Sequence, residues 1–336
     1  MREEGRYHPT VAHRTGVPGS QGLRSGCRQY GPAVMSASTR ERQGLAIALL
    51  AVIGFSFSLP WTVWALESFS PVFTATGRAV IAGALAIIVL AVRRVPWPKR
   101  DQIKPLIYTM AGAIFGWPIL IALALERTTA AHAAVIAAVM PLVTAVIAVL
   151  RTHERVARQF WIAAACGTAA LVVFALLRGG GEGGDLVADL LIAGAVVASS
   201  WCYVEGATLT RQMPGWQVIS WVVVFALPIT LPVSILIVAT GGVTTPVTTH
   251  AWIGMVMLGV VSVYFAFFAW YRGLAQAGVA RGAQVQQLQA PLTLVWSALL
   301  LGETITIGTI IAALVVVACV AWAVRVRAPS PAAPEE

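Results

Sequence analysis

Side chains that are costly in a hydrocarbon layer are the informative ones in this 336-residue chain, because few of them stand inside its long apolar runs. An intramembrane charge or amide needs a partner, water or a ligand. Arg78 lies about 10 Å from the nearer end of its run, counted at 1.5 Å per residue. Its chemistry is capture of an anion such as a carboxylate, or an ion pair with Glu67 or Glu126. Glu205, about 9 Å from Arg211 by the same rise, stands beside Trp201, Tyr203 and Gly206. It suits an amine or a proton, or else a structural pairing. Gln284, Gln286, Gln287 and Gln289 crowd one stretch level with Glu205, and the i,i+3 pairs Gln284 with Gln287 and Gln286 with Gln289 form two adjacent stripes. Such stripes either hydrogen-bond a zwitterion or join helices. His132 is a proton relay or satisfied structure. Pro60, Pro141 and Pro291 each delete a backbone donor, so they kink their helices or are simply tolerated there. The expected substrate pathway is therefore Arg78, Glu205, Gln284, Gln287, Gln289, Trp201, Tyr203 and His132.

No covalent chemistry accompanies them. There is no nucleotide-binding loop, no HExxH and no clustered carboxylates. Cys27, Cys166, Cys202 and Cys319 are far apart, and three lie in apolar runs, which offers neither a disulfide framework nor a metal site. The expectation is a non-enzyme without catalytic residues, metal or cofactor. The formal charge of +9 is spread singly or in short groups between apolar segments, so it sets topology and does not predict a nucleic-acid partner.

The elements that must position these residues follow from composition. With 58% hydrophobic and 11% charged residues, against about a quarter charged in soluble domains, an ordinary soluble protein is excluded. About 20 residues of helix cross a bilayer, and ten apolar runs have that scale: 44–66, 71–92, 105–125, 128–150, 160–177, 186–208, 216–239, 251–271, 278–301 and 304–324. Of the 23 Lys plus Arg, only Arg127 and Arg178 fall on one side and Arg78 within a span. The rest share the other side, which the positive-inside rule makes cytoplasmic, with both termini. Residues 1–43 read as a disordered basic tail, and Met35 as an alternative start. Most of the twelve tryptophans, Trp97 and Trp252 among them, mark span ends, with Trp201 and Trp296 as exceptions. Gly112 and Gly116 form a GxxxG that permits close helix packing.

An internal echo divides the chain. PLVTAVIAVLRTHE from Pro141 resembles PLTLVWSALLLGE from Pro291, and each ends in a glutamate, Glu154 or Glu303, before another apolar run. The reading is two five-span halves, 44–178 and 186–326, followed by a cytoplasmic tail at 327–336. Because five is odd, the second half enters inverted, as in secondary transporters that bind near the midplane between halves. The expected fold class is all-α integral membrane, ten transmembrane helices as two inverted five-helix repeats.

These residues resemble the drug/metabolite transporter superfamily in its EamA-like branch. The carriers of the likeness are SPVFTATGRAVIAGALA around Arg78, TTAAHAAVIAAVMPLVTAV before Glu154, and GVARGAQVQQLQAPLTLVWSALLLGE. His153 stands where the family often has glycine. The resemblance implies a multi-pass carrier of the bacterial cytoplasmic membrane, commonly an exporter of amino acids or related small metabolites by alternating access. Its partners would be a small-molecule substrate and the lipid bilayer, with proton coupling as one driving force. The alternatives are a multidrug or lipophilic-cation exporter, and a non-transporting membrane receptor or assembly protein of the same fold.

Overall fold

The computed structural model describes residues 37–125, 127, 136–153, 156–177, 185–241, 243, 246–302 and 307–325. The N-terminal tail with Met35, and Glu126, His132, Glu154, Arg178 and Glu303, lie outside the described residues. The first half comprises α1 (Ala37–Ser56), α2 (Ser58–Leu66), α3 (Pro71–Val92), α4 (Arg100–Met110), a π-helical segment (Ala111–Gly116), α5 (Trp117–Leu125), α6 (Met140–Thr152) and α7 (Arg158–Leu177). The second comprises α8 (Leu186–Leu209), α9 (Gly215–Ala239), α10 (Thr249–Met257), a second π-helical segment (Leu258–Phe265), α11 (Ala266–Ala277) and α12 (Val279–Gln284). A 3₁₀ turn (Val285–Leu288), α13 (Gln289–Leu301) and α14 (Ile307–Arg325) complete it. Among the described residues the extended structure is a single bridge, Phe69 with Val243.

Local sequence explains where these helices begin. Ser70 precedes Pro71 and its Oγ accepts the Phe73 N–H at 3.3 Å, while Thr248 Oγ1 accepts that of Ala251 at 3.1 Å; both satisfy donors that a helix start leaves free. Asp185 caps α8 through the Val187 N–H at 2.7 Å and also holds Arg127 Nε at 2.9 Å. That amide first, and then the guanidinium, keep its carboxyl below the usual carboxylate range.

Six helical stretches among the described residues are long and apolar enough to cross a membrane: Thr39–Leu66, Pro71–Val92, Arg100–Ile121, Leu186–Leu209, Gly215–Ala239 and Thr249–Ala277. Of the other expected spans, two are interrupted. Turn residues at 138–139 precede α6, and the 3₁₀ turn splits α12 from α13, in each case beside a proline.

The helices pack mostly across the two halves. α1 lies along α11, α2 along α10, α3 along α9, α5 and α6 against α8, α6 against α12, and α7 along α14. In lipid such contacts are held by close packing and not by hydrophobic expulsion. At their centre Phe55 meets Phe267 at 5.0 Å and Trp270 at 6.1 Å, and Tyr203 meets Trp270 at 5.3 Å.

α6 and α13 are each 13 residues long and each ends on a left-handed residue, His153 (φ 54°) and Gly302 (φ 71°). Glycine takes that conformation freely, whereas a side chain costs about 1–2 kcal/mol. His153→Gly should therefore stabilise the protein, by about 0.5–1 kcal/mol after the greater chain entropy of glycine is deducted. A raised thermal midpoint in detergent is the expected reading; a lowered one would show that the imidazole makes a compensating contact.

Candidate functional site

Interrupted helices bring the polar side chains together. Pro60 has no N–H for the carbonyl of Ser56, so α1 stops there and α2 restarts at Ser58. The freed Ser56 carbonyl accepts Thr293 Oγ1 at 2.9 Å, and Ser56 Oγ accepts Trp296 Nε1 at 2.9 Å. Phe57, at the break, stacks between Trp61 (5.0 Å) and Trp296 (4.2 Å). The two π-helical segments widen their helices by one residue, a device frequent at functional sites. The first presents Ala113 and Ile114, the second Ser262 and Val263, to the same internal cavity. Ser262 and Ser58 hydroxyls hydrogen-bond across its wall.

That cavity is about 140 Å³, room for several water molecules. Its polar lining is Arg78 from α3, Ser58 from α2, Ser199 and Tyr203 from α8, Ser262 from the second π-helical segment, and Gln286 and Gln289 beyond α12. Phe55, Trp117, Met140 and Phe267 supply an apolar wall. Arg78 is the one charged residue in this described lining, and among the described residues its guanidinium has no hydrogen-bond or carboxylate partner. Glu67 does not reach it: its carboxylate accepts Thr248 Oγ1 at 2.7 Å and stands 3.9 Å from His250 Nδ1. A guanidinium offers five donors and no acceptor, so this one is disposed to receive an anion entering the cavity. Gln286 Nε2 donates to the Tyr203 hydroxyl at 3.2 Å, and its buried Oε1 has no partner.

The glutamine stripes divide. Gln286 and Gln289 face the cavity, whereas Gln284 Nε2 donates to the Pro141 carbonyl at 3.2 Å and Gln287 Nε2 donates to Gln284 Oε1 at 2.6 Å. Gln284 and Gln287 thus join α6 to the 3₁₀ region and do not line the space. Trp201 is 41% exposed on the outer side of α8 and borders a shallow apolar groove with Tyr108 and Leu190. Two residues along a helix turn by about 200°, so it faces away from its neighbour Tyr203. The serines at 58, 199 and 262 reach the cavity without a sequence signal, since isolated hydroxyls are common in membrane helices and satisfy themselves against their own backbone.

Glu205 is not among the lining residues; its Oε1 accepts Arg151 Nε at 2.8 Å, with the glutamate side chain 4% and the arginine 48% exposed. The asymmetry predicts unequal effects. Removing Arg151 orphans a buried carboxylate, while removing the charge of Glu205 leaves a cation that can rehydrate. Arg151→Ala should therefore destabilise by about 2–3 kcal/mol and Glu205→Gln by about 1 kcal/mol or less. Thermal midpoints of the two variants check this, and equal losses would overturn it.

Residues 42–176 and again 186–325 match the EamA-like transporter family. The uncharacterized transporter YdeK of Bacillus subtilis (strain 168) is 37% identical over 286 residues, covering 85% of this chain and 98% of YdeK. A protein of known crystal structure superposes with a TM-score of 0.71 at 21% identity, over 85% of this chain and 99% of its own, a likeness of fold. A polytopic helical chain built around a polar cavity, matched in both halves and along nearly the whole of a relative, belongs to the EamA-like transporter family and is a multi-pass membrane transporter.

Proposed function

We propose that this transporter is a secondary-active carrier that exports small carboxylate-bearing metabolites, amino acids or related compounds, by alternating access. The observation that carries the reading is Arg78, a cation without a protein partner among the described residues, in a cavity whose walls come from both halves. A lipophilic cation would be repelled by it.

The architecture we propose is ten spans as two inverted repeats, 44–178 and 186–326, in a bacterial cytoplasmic membrane with both termini cytoplasmic. Several features support it. The helix pairings exchange into one another when the halves are swapped, α1 with α11 and α5 with α8 being one such couple. Both halves carry a π-helical segment beside the cavity. Thr144, just after Pro141, donates to Ser200 Oγ at 3.0 Å, and Thr293, just after Pro291, donates to the Ser56 carbonyl at 2.9 Å. Breaks at Pro60, Pro141 and Pro291 give the halves points at which to rock.

The test is the extracellular metabolite profile of cells producing the chain, against the same cells without it. Carboxylate-bearing compounds should accumulate outside only in the first. Indistinguishable profiles would overturn export.

A further inference from the structure

The cavity has an electrical sign, and that sign selects among carboxylates. Its described lining holds one formal charge, the Arg78 guanidinium, and no carboxylate or imidazole. The two described glutamates that the sequence offers as counter-charges are engaged elsewhere: Glu205 with Arg151, Glu67 with Thr248 and His250. Once its carboxylate is on Arg78, a zwitterion would place its ammonium among hydroxyls, amides and rings, with no negative charge to replace lost hydration. A neutral donor in the same position, a hydroxyl or an acylated amine, needs only an acceptor. Gln286 supplies one, since its amide nitrogen is committed to Tyr203 and its buried Oε1 is unpaired.

Resting on the carrier reading above, and narrowing its substrates to carboxylates without an ammonium group, we propose that the transported species is a net monoanion, a carboxylate with a neutral hydrogen-bond donor on Gln286, carried without a proton and driven by the membrane potential. The substrate neutralises the cavity when it binds. Whatever part of the field Arg78 traverses, it returns in the empty half of the cycle, so one negative charge crosses per turnover. A guanidinium stays protonated and a phenol stays neutral at physiological pH, so neither Arg78 nor Tyr203, the two ionisable side chains in the described lining, carries a proton across. An inside-negative potential then pushes substrate outward. Each 100 mV is worth about 2.3 kcal/mol per charge, an outside-to-inside ratio of about 50.

Isosteric pairs test this, lactate against alanine and phenyllactate against phenylalanine, which differ in hydroxyl versus ammonium. The full chain is reconstituted in liposomes, with potentials set by potassium and valinomycin and protein-free vesicles as baseline. The hydroxy acid of at least one pair should move about tenfold faster than its amino acid. Its plateau should shift about 50-fold per 100 mV and survive collapse of any pH gradient. Arg78→Lys should keep the voltage dependence at lower apparent affinity. Gln286→Glu, which gives the ammonium a counter-charge at nearly constant shape, should turn the preference toward the amino acid and abolish the voltage dependence. Amino acids carried as fast as hydroxy acids by the unmodified chain, a plateau indifferent to potential, or flux that follows the pH gradient would each overturn the monoanion inference while leaving the carrier reading intact. Absence of protein-dependent flux for every probe would sink the carrier reading and this inference with it.

Discussion

Arg78→Gln is expected to lower carboxylate flux by about 10- to 150-fold without loss of folded protein, because a hydrogen bond to a charged group is worth about 1.5–3 kcal/mol. The two halves of that expectation have one cause. Among the described residues the guanidinium contacts no carboxylate and no hydrogen-bond acceptor, so its removal orphans nothing. A cation held away from bulk water without a counter-charge in the described lining is a cost to the empty protein, and glutamine relieves it while keeping comparable bulk. The thermal midpoint should therefore hold or rise as flux falls. Parallel measurement of flux and of the midpoint in detergent separates this from the ion-pair reading, in which both fall together.

Gly112→Ala should have the largest effect on folding. A Cβ there would stand 2.3 Å from the Ala198 carbonyl oxygen and 2.6 Å from Cys202 Cβ. The first obstacle is backbone, so no rotamer change relieves it, and α8 must move away from the π-helical segment as a body. Overpacking costs about 1–3 kcal/mol where side chains can give way; here at least about 3 kcal/mol is expected, with a collapse in the yield of monodisperse protein. Gly194→Ala is the control, since its Cβ would meet only Leu120 Cδ1 at 3.4 Å. Equal yields for the two variants would refute the close approach of these helices.

Much of this was legible in the residues, and the limits have physical reasons. Arg78 was conspicuous because a lone charge in an apolar run needs an explanation, and it does line the cavity. Its proposed partner Glu67 was not excluded by depth, but lateral position decides, and depth arithmetic contains none. The partner of Glu205 was hidden for the opposite reason: Arg151 is 54 residues away at the end of another helix and reads as an ordinary loop cation. The two glutamine stripes were visible at i,i+3 spacing, yet which one met the cavity was not. A 3₁₀ turn advances about 120° per residue instead of 100°, so faces counted on an α-helix drift across Val285–Leu288. Trp201 illustrates the same failure more simply, for proximity to Tyr203 in sequence placed it on the other side of α8. His132 lies outside the described residues.

The two π-helical segments have no compositional signature at all, yet each amounts to one surplus residue in its helix. A surplus residue can be given up. Deleting one position within Ala111–Gly116 or Leu258–Phe265 would return the local ladder to i→i+4 bonding and leave the helix beyond it facing nearly as before, because the wide turn has already absorbed the surplus residue. In a regular α-helix the same deletion turns every later side chain by about 100°, whereas here only the widened turn itself would change. Chain length at these two places is thus a local dial on what the cavity wall presents, set by Ala113 and Ile114 in the first segment and by Ser262 and Val263 in the second, while the helices beyond stay seated. Length differences among related carriers at these sites would be retuned pockets and not damaged folds.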